Sequence, residues 1–402
     1  MPAFASVLVV GASLAGHATA RALRAEGFDG QITLVGAEPE RPYDRPPLSK
    51  AFLAGTATEA DLALESPVEE LQVDWVLGVP ATELDAAARA VTLADGRRLS
   101  ADAVVLATGS GARHLPHALG GVHTLRNLAD ARALRAELVP GVRVVVVGAG
   151  FIGAEVASTV HGLGLDVTVV EAAPAPLAGP LGVELGLAVA ALHERHGVRL
   201  ECGVPVADLT GRGRVTGVAL ADGTVLPADV VVVGIGSHAA TDWLVSSGLD
   251  VRGGVACSAT GATAAPGVWA VGDCAAWYDP ARGTEHRLEH WTDALERPAT
   301  MVKAMLGLAT KPLRAPYFWS EQYGVMIQFA GRHLGGEDIT IEAGSVEDGN
   351  LLATYRRPVP GGGGLSEVVG VLGMNQPKLF TRARRTLAST PTEVEGRPQP
   401  VA

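Results

Sequence analysis

The segment GAGFIG, at residues 148–153, has the glycine spacing that binds the diphosphate of a dinucleotide. The first glycine permits a tight turn, the second lets the phosphates approach the backbone, and the third lets a helix pack on a strand. Gly148, Gly150 and Gly153 fill these positions, with Ile152 beside the last. Because the apolar run RVVVV precedes them and a helical pattern follows, we expect a strand, a phosphate loop and a helix whose N-terminus faces the anion.

A second segment, GASLAG near the amino terminus, has the same spacing with serine in the middle position. Gly11 and Gly16 stand where the tight turn and the helix packing require glycine, and Ser13 replaces the glycine nearest the phosphates. Leu14 and Ala15 would begin the helix, whose free N–H groups favour an anion. We interpret the segment as a second dinucleotide site; the alternative is a glycine turn that packs a helix without a ligand.

An acidic residue follows each glycine-rich segment at the end of the next predicted strand. Glu171 closes DVTVVE, and Glu38 follows QITLVGA somewhat further from its glycines. A carboxylate at this point can accept hydrogen bonds from an adenosine ribose, and it repels a 2'-phosphate. No arginine follows Glu171 in EAAPAP. The pattern therefore favours NADH over NADPH, unless Glu171 is a solvated strand end.

These motifs require a strand, a turn, a helix and a strand in two parts of the chain. Residues 6–38 have that order, and residues 143–171 repeat it. The hairpin and buried strand predicted for VTLADGRRLSADAVVLATG, at residues 91–109, return as GTVLPADVVVVGIG at residues 223–236. The likeness indicates an internal duplication of a nucleotide-binding unit, and the alternation of strands and helices predicts an α/β fold.

The last part of the chain has a different pattern. FWSEQYGVMIQFAG, LLATYRR and EVVGVLGMN are predicted strands, the last two joined across residues 360–364. A basic helix, PKLFTRARRTLA, precedes a tail that we expect to be frayed from about residue 388. The sequence thus predicts two Rossmann-like domains and a C-terminal α+β domain. Their predicted bounds are 1–112 with 238–310 for the first domain, 113–237 for the second and 311–402 for the third.

The composition argues against several other classes of protein. A formal net charge of -11 disfavours a nucleic-acid partner, because neutralising phosphates requires a basic surface. Cys202, Cys257 and Cys274 form no paired motif, so neither a zinc site nor a disulfide framework is predicted. No apolar stretch is long enough to cross a bilayer. We expect a cytoplasmic protein without membrane contact and without a metal site.

Five segments together resemble one protein family. They are RPPLSK at 45–50, ATG at 107–109, GAGFIGAE at 148–155, VGD at 271–273 and FWSEQY at 318–323. In these the chain resembles the FAD-dependent ferredoxin reductases that serve bacterial cytochrome P450 and aromatic-ring dioxygenase systems. The resemblance spans nearly the whole chain. It implies a glutathione-reductase-like fold in which the first glycine segment binds FAD, the second binds NADH, and the C-terminal domain closes the site.

The resemblance also implies two catalytic residues. Lys50, the last residue of RPPLSK, matches the family lysine beside the reactive edge of the flavin, and Glu155 matches its carboxylate partner. A cation there would stabilise negative charge on the reduced flavin, and a buried lysine needs a carboxylate close by. Without the resemblance, the two would be interpreted as a surface lysine and a surface helical glutamate.

Further contacts with FAD are implied in the same way. Asp273, after Gly272, would hydrogen-bond the ribityl chain of the flavin, although an aspartate after glycine is also common in turns. Trp291 and Trp319 would lie against the flavin ring, unless each is a core residue. The remaining implied contacts are Arg45, Lys50, Ala107, Thr108, Gly109 and Arg113.

The electron acceptor is suggested by what the chain lacks. Disulfide reductases of this fold carry a redox cysteine pair near the first nucleotide unit, and here no cysteine precedes Cys202. A flavin accepts a hydride and releases electrons singly, so the expected partner is a [2Fe-2S] ferredoxin that supplies a cytochrome P450 or a Rieske-type oxygenase. The candidate contact residues for it, unless they form an ordinary charged helix, are Arg297, Lys303, Lys311 and Arg314.

Other functions share the two glycine segments. An NADH oxidase and a nitrite- or rubredoxin-linked reductase would differ from the expected enzyme only in the electron acceptor. A non-catalytic flavoprotein sensor resembling apoptosis-inducing factor is the alternative outside enzymes. The fold does not separate these functions, because the acceptor is determined by the site and the partner surface.

Overall fold

The structure, a computed structural model, describes most of the chain. The described residues are 4–65, 71–116, 119–280, 283–358 and 366–387. The predicted join at residues 360–364 and the predicted frayed tail from about residue 388 lie outside them. Within the described ranges, no helix is both long enough and apolar enough to cross a membrane.

The amino-terminal part contains the first strand, turn, helix and strand unit and a separate hairpin. Its elements are β1 (Ser6–Val10), α1 (Leu14–Ala25), β2 (Gln31–Val35), β3 (Asp74–Val76), β4 (Ala81–Asp85), β5 (Ala90–Leu93), β6 (Arg98–Ser100), β7 (Ala103–Leu106) and β8 (Ser110–Ala112). Strand β1 pairs in parallel with β2 on one side and with β7 on the other. Helices and loops cover both faces of such a strand, so it has a continuous apolar sequence. The predicted hairpin turn at Asp95 and Gly96 is confirmed between β5 and β6.

The middle part repeats this layout. Its elements are β9 (Val122–His123), α2 (Leu128–Glu137), β10 (Arg143–Val147), α3 (Phe151–Gly162), β11 (Asp166–Glu171), α4 (Ala178–Leu181), α5 (Val183–Arg195), β12 (Arg199–Cys202), β13 (Val206–Arg212), β14 (Arg214–Leu220), β15 (Val225–Pro227), β16 (Val230–Val233) and β17 (Ser237–Ala239). Strand β10 pairs in parallel with β11 and β16, as β1 does with β2 and β7. The duplication therefore extends from the sequence to the pairing of strands.

The chain then returns to the first unit. The returning elements are β18 (Val255–Cys257), β19 (Val268–Ala270), β20 (Ala275–Asp279), β21 (Thr284–Arg287) and α6 (Trp291–Met305). Strand β19 pairs with β7 and completes a five-stranded parallel sheet of order β19-β7-β1-β2-β3, beside a second of order β12-β11-β10-β16-β9. Helix α6 was predicted to reach Leu308; it ends earlier because Gly307, with φ of 70°, takes a left-handed conformation.

The last part forms an antiparallel sheet covered by a helix. Its elements are β22 (Tyr317–Gln322), β23 (Val325–Gly331), β24 (Asp338–Ser345), β25 (Asn350–Pro358), β26 (Ser366–Met374) and α7 (Pro377–Arg384). The strand order is β22-β23-β26-β25-β24. The sequence did not indicate β24, an edge strand that is exposed along most of its length. The predicted fold, two Rossmann-like units with a C-terminal α+β domain, is confirmed.

The C-terminal sheet packs against the middle part of the chain. The phenol of Tyr355 donates a hydrogen bond to the Leu181 carbonyl at 2.7 Å, within an apolar cluster that joins α5 to the sheet. His193 on α5 lies 2.7 Å from the phenol oxygen of Tyr323, and burial lowers the pKa of His193 to about 4. A neutral imidazole therefore accompanies the phenol at this contact near neutral pH. These contacts fix β22 beside the two parallel sheets.

Candidate active site

A cavity of about 940 Å³ lies where the two parallel sheets and the C-terminal sheet meet. Its walls come from the loops after β1, β7, β10 and β16, from β22 and from the N-terminus of α6. The cavity therefore lies outside the carboxyl ends of the parallel strands, which is where α/β sheets bind their ligands. The predicted site residues that line it are Ser13, Leu14, Ala15, Arg45, Lys50, Ala107, Thr108, Gly109, Gly150, Ile152, Gly153, Glu155, Glu171, Asp273, Trp291 and Trp319.

The other predicted residues lie behind this wall or at its edge. Gly11 and Gly148 lie in the phosphate loops, Gly16 lies in the first turn of α1, and Gly272 begins the short 3-10 helix that carries Asp273. Glu38 is likewise outside the lining and contacts the cavity through Arg45. The Nε of Arg113 donates to the Ser237 carbonyl at 2.9 Å, which ties β8 to β17. The structure thus does not bring Gly11, Gly16, Glu38, Arg113, Gly148 or Gly272 into the cavity wall.

The two glycine turns have the same steric requirement. Gly11 has φ of 122°, and a Cβ there would lie 2.0 Å from the Ala107 carbonyl oxygen. Gly148 has φ of 102°, and its Cβ would lie 2.3 Å from the Gly234 carbonyl oxygen. Any side chain would clash with the backbone of the neighbouring strand at both positions. The glycines therefore let each phosphate loop lie directly against the carboxyl end of the neighbouring strand in its sheet, β7 or β16.

The first phosphate loop faces two arginines. The Nε of Arg45 donates to the Ser13 hydroxyl at 3.3 Å, and its Nη2 donates to a Glu38 carboxylate oxygen at 2.6 Å. Burial acts to lower the pKa of Arg45, but Tyr43 and Glu38 outweigh burial, so its pKa is raised overall. Arg45 therefore carries its charge at the cavity wall, and the serine that replaces the middle glycine helps to hold it there.

Arg126 is the second arginine, and the sequence did not indicate it. Its Nη2 donates to the Asp273 carboxylate at 2.7 Å, and its Nε donates to the Ser110 carbonyl at 2.9 Å. The residues after it start α2 with a capping box between Asn127 and Asp130, which is a recognisable helix start. That local signal gives no information about the side chain before the helix. Only the packing of α2 brings Arg126 to the cavity.

Lys50 and Glu155 meet as predicted. The Nζ of Lys50 lies 2.6 Å from one carboxylate oxygen of Glu155, whose side chain is 4% exposed. The Ser49 hydroxyl donates to the same oxygen at 2.5 Å, and the Nζ of Lys50 also donates to the Pro46 carbonyl at 2.9 Å. Removing either member of such a buried pair leaves the other charge without compensation. The structure thus assigns neither residue to the surface.

The two predicted tryptophans lie together in the cavity wall. The rings of Trp291 and Trp319 pack edge to face at 5.4 Å between centroids. The indole N–H of Trp291 donates to the Asp44 carboxylate at 2.6 Å. Burial raises the pKa of Asp44, although this hydrogen bond and the charge of Lys50 oppose the increase. Trp291 is thus a cavity residue with a fixed orientation.

Glu171 is held by the second phosphate loop. One of its carboxylate oxygens accepts the N–H of Ala149 at 2.8 Å, and the other accepts the N–H of Ala173 at 2.9 Å. The carboxylate thus lies at Ala149, and at the next residue, Gly150, a Cβ would meet no atom within 4 Å. An acid placed beside an open phosphate loop has the arrangement that a ribose requires.

The cavity residues fit two dinucleotides. Helices α1 and α3 both begin at the cavity; in the described structure the Ser13 side chain makes no cap hydrogen bond to α1, and Gly150, at the start of α3, has no side chain. The N–H groups of each first turn are therefore available to a diphosphate. Arg45 and Arg126 add positive charge at the first loop, and Glu171 adds an acceptor at the second. These features match the donor and acceptor needs of FAD and a nicotinamide dinucleotide.

Comparison with known proteins identifies the family. The model of the pyridine nucleotide-disulphide oxidoreductases matches residues 5–297, and a reductase C-terminal domain matches residues 317–395. The chain belongs to the pyridine nucleotide-disulphide oxidoreductase family. Together the two matches cover both Rossmann-like units and the C-terminal sheet.

The named members of the family that this chain resembles are mostly ferredoxin reductases. It is 39% identical to the biphenyl dioxygenase system ferredoxin–NAD(+) reductase component of Paraburkholderia xenovorans (strain LB400), over 87% of this chain and 86% of that protein. It is 36% identical to rhodocoxin reductase of Rhodococcus erythropolis, over 96% and 90%. A chain of the solved covalent putidaredoxin reductase–putidaredoxin complex aligns with a TM-score of 0.88 and 33% identity, over 94% and 92%. The resemblance that the sequence motifs indicated is confirmed.

The cysteines of this family member are outside the cavity wall. Cys257 and Cys274 are buried, and burial raises the pKa of both thiols. Cys202 is partly exposed, and burial is also the main cause of its raised pKa. A thiol with a raised pKa is a poor nucleophile, because the thiolate is the reactive form. The disulfide chemistry in the family name therefore has no support in this chain.

Proposed function

We propose that this protein passes electrons from NADH through FAD to a [2Fe-2S] ferredoxin, which supplies a cytochrome P450 or a Rieske-type oxygenase. The family and its ferredoxin–NAD(+) reductase members imply the two cofactors. The observation that carries the proposal is that both phosphate loops open into one cavity whose wall contains the Lys50–Glu155 pair. A hydride donor and a flavin bound to the two loops would share that cavity.

The residues divide into two binding groups. The first loop, with Ser13, Arg45 and Arg126, would hold the diphosphate of FAD, and Asp273 would accept hydrogen bonds from its sugar chain. The second loop, with Glu171, would hold the adenosine half of NADH. FAD, when bound, accepts two electrons with a hydride and releases them one at a time. The chain itself contributes orientation, charge and exclusion of water.

Lys50 contributes a fixed positive charge at the cavity wall. Glu155 and the Pro46 carbonyl hold the Nζ in place, so the side chain does not need to reorganise when charge develops nearby. Glu155 is buried and the Lys50 side chain is 21% exposed, and charges interact more strongly in such a partly buried place than in water. We propose that Lys50 stabilises negative charge at the reactive edge of the flavin and that Glu155 positions it.

A one-electron carrier is the acceptor that the chain supports. The cysteines, all within the described residues, do not line the cavity, so no internal dithiol takes up the electrons. Trp319 at the cavity wall stacks on Tyr317 at 6.1 Å between centroids, and the guanidinium of Arg384 lies 4.2 Å from the Tyr317 ring. This line of side chains leads from the cavity to helix α7. We propose that the ferredoxin docks beside α7.

The basic residues that the sequence suggested on α6 and after it are a weaker choice for docking. Arg297 lies 2.7 Å from Asp293, Lys303 lies 3.4 Å from Glu26, and Arg314 lies 3.8 Å from Glu296. These three cations have acidic neighbours that reduce their attraction for an acidic partner, whereas Lys311, the fourth predicted residue, is exposed. Helix α7 instead has the exposed basic side chains Lys378 and Arg382, and Arg385, directly after its last residue, is exposed as well.

Reversing charge on α7 tests this docking site. The double variant R382E/R385E is expected to raise the ferredoxin concentration for half-maximal rate about tenfold at low salt, because charge steers such transient encounters. Anaerobic flavin bleaching by NADH is expected to stay at the wild-type rate. The control is R97E/R98E, which makes the same change of charge in the hairpin between β5 and β6. Equal effects of both double variants would argue against docking at α7.

One anaerobic experiment separates ferredoxin reduction from the alternatives. NADH is added to the purified yellow protein, bleaching of the flavin is recorded, and an oxidised [2Fe-2S] ferredoxin is then added. Rapid ferredoxin reduction, with slow oxygen uptake in air, is the expected result. Fast oxygen uptake without ferredoxin reduction would support the NADH oxidase, and absence of bleaching by NADH would support the non-catalytic sensor. Turnover with rubredoxin or nitrite in place of ferredoxin would support the nitrite- or rubredoxin-linked reductase.

Glu171 is expected to determine the choice of nicotinamide cofactor. In E171A, the ratio of kcat/KM for NADH to that for NADPH is expected to fall at least about tenfold, since a ribose acceptor is lost and repulsion of the 2'-phosphate disappears. The measurement is steady-state reduction of ferricyanide with each nucleotide. The control is E201A, which removes a carboxylate from neighbouring β12 outside the cavity lining. An unchanged ratio in E171A would remove Glu171 from the nucleotide site.

We further propose the domain bounds 1–112 with 238–310, 113–237, and 311–402. Strands β8 and β17 support the first two, because they pair where the chain leaves the first unit and where it returns. We also propose that the protein acts in the cytoplasm. This is supported by the three cysteines, which are all free thiols.

A further inference from the structure

The carboxylate of Glu155 receives hydrogen bonds on both of its oxygens, from different parts of the chain. Lys50 and Ser49 donate to Oε2. The hydroxyl of Ser320, on strand β22 of the C-terminal sheet, donates to Oε1 at 2.7 Å. Ser320 is fully buried, and within the described part of the chain it is the one donor that reaches Oε1. The C-terminal domain therefore contacts the catalytic pair directly.

Gln322, two residues further along β22, determines the direction of the Ser320 hydroxyl. Its side-chain Nε2 donates to the Ser320 oxygen at 3.1 Å. A hydroxyl has one proton, and an ionised Glu155 can only accept. The Ser320 proton must therefore point at Glu155, and only the amide N–H of Gln322 can face the Ser320 oxygen. This orientation follows from the chemistry of the three groups.

The other end of the Gln322 amide supports this order. Gln322 is fully buried, and its Oε1 has no hydrogen-bond partner among the described residues. Turning the amide over would give no donor to the Ser320 oxygen and would leave the N–H groups without an acceptor instead. Buried polar groups are rarely left unsatisfied unless another requirement fixes them. Here the requirement is that the Gln322 N–H donates to the Ser320 oxygen, so that the Ser320 hydroxyl donates to Glu155.

We propose that Ser320 and Gln322 are positioning residues that keep the Glu155 carboxylate ionised and directed at Lys50. Hydrogen bonds from donors favour the charged form of a carboxylate, and burial disfavours it. Without the Ser320 hydroxyl, Oε1 would be buried without a donor. Glu155 would then take up a proton at a higher pH, and Lys50 would lose its counter-charge.

The charged groups around this carboxylate are few. Among the described residues, Lys50 contacts Glu155 from the position after the short helix Pro46–Ser49, and Asp44, before that helix, acts on Lys50. Strand β22 adds the uncharged Ser320 and Gln322. On the cavity side, His290 packs against Phe318 of β22 at 5.2 Å between ring centroids, and Glu321 of β22 is exposed. A change of local charge near the cavity in a β22 variant must therefore be assigned among Glu155, Lys50, Asp44 and His290 by control variants. The role of the pair in hydride transfer rests on the proposed function, but its titration does not.

The test follows the flavin midpoint potential of the holoprotein as a function of pH. Protonation of Glu155 leaves Lys50 as a net positive charge beside the flavin, and this changes the slope of potential against pH. In S320A the pH at which this slope changes is expected to rise by about one unit, because Glu155 loses one hydrogen bond to its charged form. In Q322L a smaller shift in the same direction is expected, and S320T, which keeps the hydroxyl, should remain near the wild type.

Three control variants complete the design. T354A removes a buried hydroxyl that donates to the Glu342 carboxylate at 2.7 Å in the same sheet, away from the cavity, and should not move the change of slope. D44N and H290Q should also leave it in place; if either abolishes it, the replaced residue is the titrating group and the proposal is wrong. An S320A protein that binds FAD normally and has the wild-type dependence on pH would likewise overturn it. Failure to reduce ferredoxin would count against the proposed function alone.

Discussion

Replacing Lys50 by methionine is expected to slow anaerobic flavin reduction by NADH at least about 100-fold, the typical effect of losing one preorganised donor in an active site. Methionine keeps the length of the side chain and removes the charge 2.6 Å from Glu155. The flavin would then gain negative charge beside a buried carboxylate without the cation. Stopped-flow absorbance of the flavin at saturating NADH gives the rate constant directly.

The control for Lys50 is R252M, which removes an exposed cation paired with Asp250 far along the chain. That variant should bleach at the wild-type rate. Breaking a buried pair can cost about 3–5 kcal/mol in stability, so FAD content and the thermal unfolding midpoint of K50M must be measured beside the kinetics. Bleaching at the wild-type rate in a folded, FAD-containing K50M protein would exclude the proposed role of Lys50.

Replacing Arg45 by methionine is expected to weaken FAD binding about 100-fold. Arg45 presents its charge at the first phosphate loop, and a hydrogen bond to a charged group contributes about 1.5–3 kcal/mol. The loss also frees Glu38, which accepts from Arg45 at 2.6 Å and would then repel the diphosphate. The measurement is titration of the apoprotein with FAD, followed by quenching of flavin fluorescence.

The matched control for Arg45 lies in the same proline-rich loop. Arg41 packs over the ring of Trp75 at 4.1 Å, and it does not line the cavity. R41M should therefore keep the FAD dissociation constant of the wild type. If R45M and R41M bind FAD equally well, the first phosphate loop holds the diphosphate through its backbone and Arg126 without help from Arg45.

The sequence by itself determined the elements whose requirements are local. The turns at Gly11 and Gly148 need glycine because a Cβ would collide with the next strand, so their spacing identified both phosphate loops. Strands β1 and β10 are buried on both faces and therefore appear as apolar runs. The partnership of Lys50 with Glu155 came from a family resemblance, since residues 105 positions apart give no local signal of contact.

Only the tertiary structure decided which distant side chains complete the site. Arg126 precedes a helix whose start is recognisable, but the packing of α2 brings its guanidinium to Asp273. Ser320 and Gln322 look like ordinary polar residues of a strand; Ser320 reaches Glu155, and Gln322 reaches Ser320, because the C-terminal sheet packs beside α3. Local pattern reflects backbone geometry and burial within one element. Contacts between elements depend on how several elements pack together, and no single segment of the sequence encodes that.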